Sequence, residues 1–131
     1  MKHNELTLGD WVRIGNGEPT KVTELAHDYV RVAGMFSDQA YGHVEPIEIT
    51  PEILEKNGFT KEPFVSFEHY YCNYNESHIR AFKFYGEDDV YVDAIEPHMP
   101  SAPFISCARF KYVHELQHAL RLCKIDKEIK L

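Results

Sequence analysis

An α+β fold is predicted for this 131-residue chain, and three observations predict it. Residues 1–50 hold short runs of period-two hydrophobicity broken by glycine-bearing turns. Thr50-Pro51-Glu52 then opens a brief helical segment, and residues 64–95 return to alternation. Near the C-terminus, apolar residues recur at helical spacing. The expected architecture is a small β-barrel half, a short helix, an antiparallel three-stranded meander and a packed C-terminal helix. The division falls at residue 50, with 1–50 as the barrel half and 51–131 as the α+β half, forming either two domains or one compact unit.

In the first half, a Gly9-Asp10 turn leads into Trp11-Val12-Arg13-Ile14, which alternates as a strand. Gly15-Asn16-Gly17 supplies residues that tolerate positive φ in a tight turn. Residues 20–25 and 29–33 alternate in turn, and a further strand is expected over 44–49, where Pro46 marks an edge or bulge. Four or five such strands suit a closed or half-closed barrel. The segment from Leu8 to Ile14 resembles the opening strand of SH3-like barrels, which implies an SH3-like β-barrel half. Such barrels bind peptides, RNA or another domain, so the fold alone does not assign a function. Trp11 is a candidate recognition aromatic, weighed against simple packing in the barrel core.

The linking helix carries complete start and stop signals. Thr50 is placed to cap it, Pro51 suits the first helical position, and Glu52 sits at the positive end of the helix dipole. Gly58 ends it in a left-handed conformation, and Phe59 folds back as an apolar closure. Strands follow over 64–71, 78–85 and 90–95, with turns at 73–76 and 86–89. The proline-rich stretch 97–103 connects onward, and 104–107 adds a short strand. A C-terminal helix is expected over 108–122, with Tyr112, Val113, Leu116, Ala119, Leu120 and Cys123 on its core side and His114, His118, Lys111 and Arg121 on its polar side.

That helix contains His114-Glu115-Leu116-Gln117-His118, the H-E-x-x-H pattern of zinc proteases. Two imidazoles four residues apart share one helix face and can share a metal, with the glutamate as general base on a metal-bound water. A catalytic zinc needs a third protein ligand. Only thirteen residues follow His118, and Arg121 and Lys124 stand where one common continuation of the motif places Gly and His. An upstream ligand would have to come from His78, Glu96 or His98. The expected reading is therefore noncatalytic and cofactor-free. A zinc-dependent hydrolase, with His114 and His118 as ligands and Glu115 as base, is the alternative.

The meander is rich in Tyr and Phe, interleaved with His69, His78, Arg80 and Lys83. Exposed, such rings stack bases or ligands, whereas alternating aromatics more often face a core. A nucleic-acid-binding module built on this aromatic meander is the second alternative. The formal net charge of −7 argues against a broad basic face for nonspecific nucleic-acid binding. Cys72, Cys107 and Cys123 are odd in number and lack a C-x-x-C, so they read as reduced thiols of a cytoplasmic protein. No apolar run is long enough to span a membrane.

Two segments together resemble a family. Ile47-Glu48-Ile49-Thr50-Pro51-Glu52-Ile53-Leu54-Glu55-Lys56-Asn57-Gly58-Phe59, followed by Tyr112-Val113-His114-Glu115-Leu116-Gln117, is similar to uncharacterised small proteins of gut anaerobes and their phages or mobile elements. The resemblance implies an accessory, intracellular protein with no assigned substrate, in which the position of His118 need not be histidine. The expected function is a binding or adaptor protein whose partner is another protein. The contact candidates are Trp11, Tyr70, Tyr74, His114, His118 and Arg121.

Overall fold

The computed structural model describes every residue except Pro100 and Phe104, and describes the backbone but not the side chains of Ser106, Cys107 and Ala108. The fold is α+β. The chain forms two compact units, Met1–Ile47 and Glu48–Leu131. Among the described residues, no helix is long and apolar enough to cross a membrane.

The first unit is a four-stranded antiparallel sheet of β1 (Trp11–Ile14), β2 (Thr20–Leu25), β3 (Val30–Val32) and β4 (Val44–Pro46), ordered β3-β2-β1-β4. Period-two alternation puts Val12, Val22, Val30, Val32 and Val44 on one buried face with Leu6. Asp10, fully buried, accepts hydrogen bonds from the Thr7 amide at 2.7 Å and the Thr7 hydroxyl at 3.0 Å, which shapes the turn into β1. Of the closed or half-closed barrel expected, the closed form is not formed. The segment between β3 and β4 makes turns, with one isolated bridge from Val30 to Gln39, so no strand joins the two edges. Pro46, which has no N–H to give, lies on an edge strand.

The second unit opens with α1 (Pro51–Lys56). Thr50 Oγ1 accepts the Ile53 amide at 3.2 Å, satisfying one of the free N–H groups of the first turn. At the other end Gly58 has φ +85°, and the amides of Gly58 and Phe59 donate to the carbonyls of Glu55 and Leu54. That is the Schellman arrangement, which leaves Phe59 buried beneath the helix end. The Asn57 side chain donates to the carbonyls of Ile53 and Lys130 and accepts the Lys130 amide at 2.8 Å. The C-terminal tail is thereby docked, with Ile125 and Ile129 buried, rather than left as a charged extension.

A five-stranded antiparallel sheet follows, ordered β5-β6-β7-β8-β9: β5 (Thr60–Pro63), β6 (Phe67–Tyr74), β7 (Ser77–Phe84), β8 (Tyr91–Glu96) and β9 (Ile105–Phe110). The meander expected as three strands thus gains a strand on each edge. The expected strand at 104–107 starts at a residue outside the described set, and the observed one runs to Phe110. Helix α2 (Val113–Leu122) consequently begins five residues later than periodicity suggested. Pairing with β8 holds residues 108–110 extended, and a hydrogen-bonded partner outweighs the helix preference of Ala108 and Arg109, both good helix formers. Helix α2 packs on β8 and β9 with Val113, Leu116, Ala119 and Leu120 buried.

The β6–β7 hairpin turns on two residues, Asn75 at φ 46° and Glu76 at φ 68°. Both central residues of such a turn need positive φ, a conformation Asn tolerates and Glu resists by about 1 kcal/mol or more. Glu76→Gly is expected to stabilise the protein by about 0.5–1 kcal/mol, net of the extra chain entropy of glycine, and to raise the melting midpoint by about 2–4 °C. A thermal unfolding curve that moves downward would show that the turn adopts another geometry.

Candidate functional site

The register of the second sheet decides which aromatics are buried. On β6, Tyr70 and Cys72 point to the buried side, with Ile79 and Ala81 of β7 and Val92 of β8. By parity, Phe67, His69 and Tyr71 point the other way, opposite Phe84, Phe82 and Arg80. Phe82 faces Tyr91 across the next ladder. These rings are half-buried, packed on one another with their outer faces open.

They form a continuous cluster. Phe67 lies 5.4 Å from Phe82 and 6.0 Å from Phe84 between ring centroids, and Phe64 stacks on Phe67 at 5.0 Å. His69 stacks on Phe82 at 5.1 Å and lies 5.6 Å from Tyr71. The Arg109 guanidinium from edge strand β9 sits 5.9 Å over Phe84 and 5.6 Å over Tyr91. Asp93, two residues beyond Tyr91 and so on the same face, completes a hollow of about 140 Å³ with Phe67, Phe82, Phe84, Tyr91 and Arg109. Phe64, stacked on Phe67, is itself exposed, as are Val65 and Tyr85 nearby in the chain. An aromatic-lined hollow with one donor-only and one acceptor-only side chain is a binding site in form.

Comparison with family models, curated proteins and solved structures finds no match for this chain.

The residues singled out from sequence scatter over other surfaces. Tyr70, expected among exposed tyrosines, is fully buried and donates its hydroxyl to Glu68 at 2.6 Å. Burial raises its pKa strongly, and the same hydrogen bond lowers that of Glu68. Tyr74 is half-buried under the Lys127 ammonium, 5.0 Å from its ring. Trp11 is half-buried at the start of β1, the Lys21 ammonium 5.0 Å over its ring, while Val12 beside it fills the core. Arg121 is exposed. Phe67, Asp93 and Arg109 were not anticipated; strand parity set by Ile79 and Ala81 is the signal that points to Phe67.

The H-E-x-x-H helix serves structure at two of its three positions. His114, expected on the polar face, is 6% exposed and stacks on Tyr112 at 5.9 Å. It sits in the first turn, where that ring covers it. His118 lies 5.7 Å away, ring to ring. Glu115 Oε1 accepts the Tyr112 amide at 3.0 Å, so the carboxylate is turned to the helix N-terminus as a cap. Among the described residues, no three His, Cys, Asp or Glu side chains gather where they could hold a metal. Cys72 and Cys123 are buried free thiols whose pKa values are raised by burial, away from nucleophilic thiolate; the Cys107 side chain lies outside the described residues.

Capping by Glu115 has a measurable consequence. Glu115→Ala is expected to cost about 1 kcal/mol in urea unfolding, while Glu115→Gln, which still accepts the amide hydrogen, retains most of it. Equal losses in both variants would rule out the cap.

His69 predicts a pH dependence. Its Nε2 is buried without a hydrogen-bond partner among the described residues, and its pKa is lowered, chiefly by burial. The unfolded chain then binds a proton more readily than the folded one, so this stabilisation is full above the ordinary histidine pKa of about 6.5 and drains as pH falls towards the folded value. Wild type should lose more stability between pH 7.5 and 5 (roughly the span of this titration) than His69→Phe. Parallel losses would place the acid sensitivity elsewhere.

Proposed function

We propose that this chain is a noncatalytic binding protein, of the accessory kind that the family resemblance implies, and that its binding surface is the open face of the five-stranded sheet. The observation that carries the proposal is the hollow among Phe67, Phe82, Phe84 and Tyr91, with Asp93 and Arg109 at its wall. Aromatic rings with fixed orientations give large contact area at small entropic cost, which suits anchoring a partner. The first reading is a protein partner that places one apolar side chain in the hollow and covers the exposed Phe64 beside it.

A specific observation also favours a second reading. The stacking of Arg109 over two rings makes an assembly of flat surfaces, the form in which single-stranded nucleic acids are held.

The test of the protein reading is selection of a random peptide library on the immobilised chain, with Phe84→Ala as the counter-target. Selected peptides are expected to carry an aromatic or large aliphatic anchor and to bind the variant about tenfold or more weakly. Peptides that bind both proteins equally would move the binding surface off this face.

A further inference from the structure

We propose that the hollow on the open face of the second unit binds a guanine base. This rests on the second reading of that face. The volume, about 140 Å³, is close to that of cavities that take up benzene, so the hollow admits one ring of a flat base, the rest of which lies at its open mouth, and not an extended chain. Its walls are ring surfaces, and Phe84 and Tyr91 already lie under a planar group, the guanidinium of Arg109.

The two charged lining groups select among flat rings. Asp93 accepts hydrogen bonds only, and Arg109 donates only. Neither side chain is a member of the ion pairs at His27, Arg31, Lys61 and Lys111 among the described residues. A ring held here must offer N–H groups to the carboxylate and acceptors to the guanidinium. Guanine presents two neighbouring N–H donors on one edge and the O6 and N7 acceptors beside them, a set that arginine reads in pairs. Adenine and cytosine each offer one amino group. Uracil turns carbonyl oxygens towards a carboxylate on both sides of its single N–H.

Charge indicates how the base is held. With a net charge of −7, the chain gains little from phosphates, so stacking and edge contacts carry the affinity and its salt dependence is shallow. The same chemistry is offered by a free guanine nucleotide and by a guanine within a single strand.

The experiment is an NMR titration of the full chain with GMP, AMP and UMP, with a uridine strand carrying one guanine, and with the all-uridine strand. GMP and the guanine-bearing strand are expected to shift the signals of Phe67, Phe82, Phe84 and Tyr91. UMP and the all-uridine strand are expected to leave them in place. Tighter binding of the strand than of GMP identifies the source as single-stranded nucleic acid; equal binding identifies a free nucleotide. Asp93→Asn, which keeps the shape and removes the charge, should weaken guanine about tenfold or more, with its spectrum otherwise that of the folded protein. No shift with any probe overturns the proposal. Binding of all probes alike, unaffected by Asp93→Asn but lost in Phe84→Ala, overturns guanine selection while leaving the open face as a stacking surface.

Discussion

The unbroken pairing of β6 with β7 is the constraint on which the second unit depends. Eight cross-strand pairs run from Phe67↔Phe84 to Tyr74↔Ser77 without a bulge, closed by a two-residue turn. A slip of one residue would send Tyr70 and Cys72 to the open face and drive Phe67, His69 and Tyr71 into the core. The small or apolar inward residues of β7, Ser77, Ile79 and Ala81, make that exchange costly, because they leave space sized for one set of partners. The aromatic face is the other half of this choice: it holds what the core cannot.

Around this hairpin, regularity falls off outward. The β7–β8 ladder shifts between Arg80 and Ala81, and the β8–β9 ladder shifts between Val92 and Ala94. Asp93 lies within the second irregularity and Arg109 lies on the edge strand beside it. Irregular pairing re-aims side chains, and here the charged groups of the hollow come from the irregular part with Tyr91, while Phe67, Phe82 and Phe84 come from the regular hairpin. The division suits a binding site, since rigid rings supply the platform and the edge supplies the groups that discriminate.

The H-E-x-x-H segment shows how a motif can be satisfied by local physics. Glutamate at the third helical position is a common partner for the amide before the helix, and a histidine in the first turn can be buried against a neighbouring ring. Both residues have work to do at a helix start, whichever chemistry their spacing spells.

Local signals were legible in the sequence wherever they act within a few residues. The linking helix was readable from Thr50, Pro51 and Gly58, because capping and left-handed termination depend on near neighbours alone. The strands at 20–25, 78–85 and 90–95 were readable from alternation. Whether the first sheet closes, the extent of β9, the burial of Tyr70 and His114, and the position of Arg109 over Phe84 were not. Each depends on pairing between residues far apart in the chain, and in β6 apolar side chains occupy both parities, so alternation could not say which face was the core. Sequence by itself determined the α+β class, the helix caps and the aromatic content; tertiary pairing decided which rings face the core and which stay open, because strand register is set by the neighbouring strand rather than by the strand's own residues.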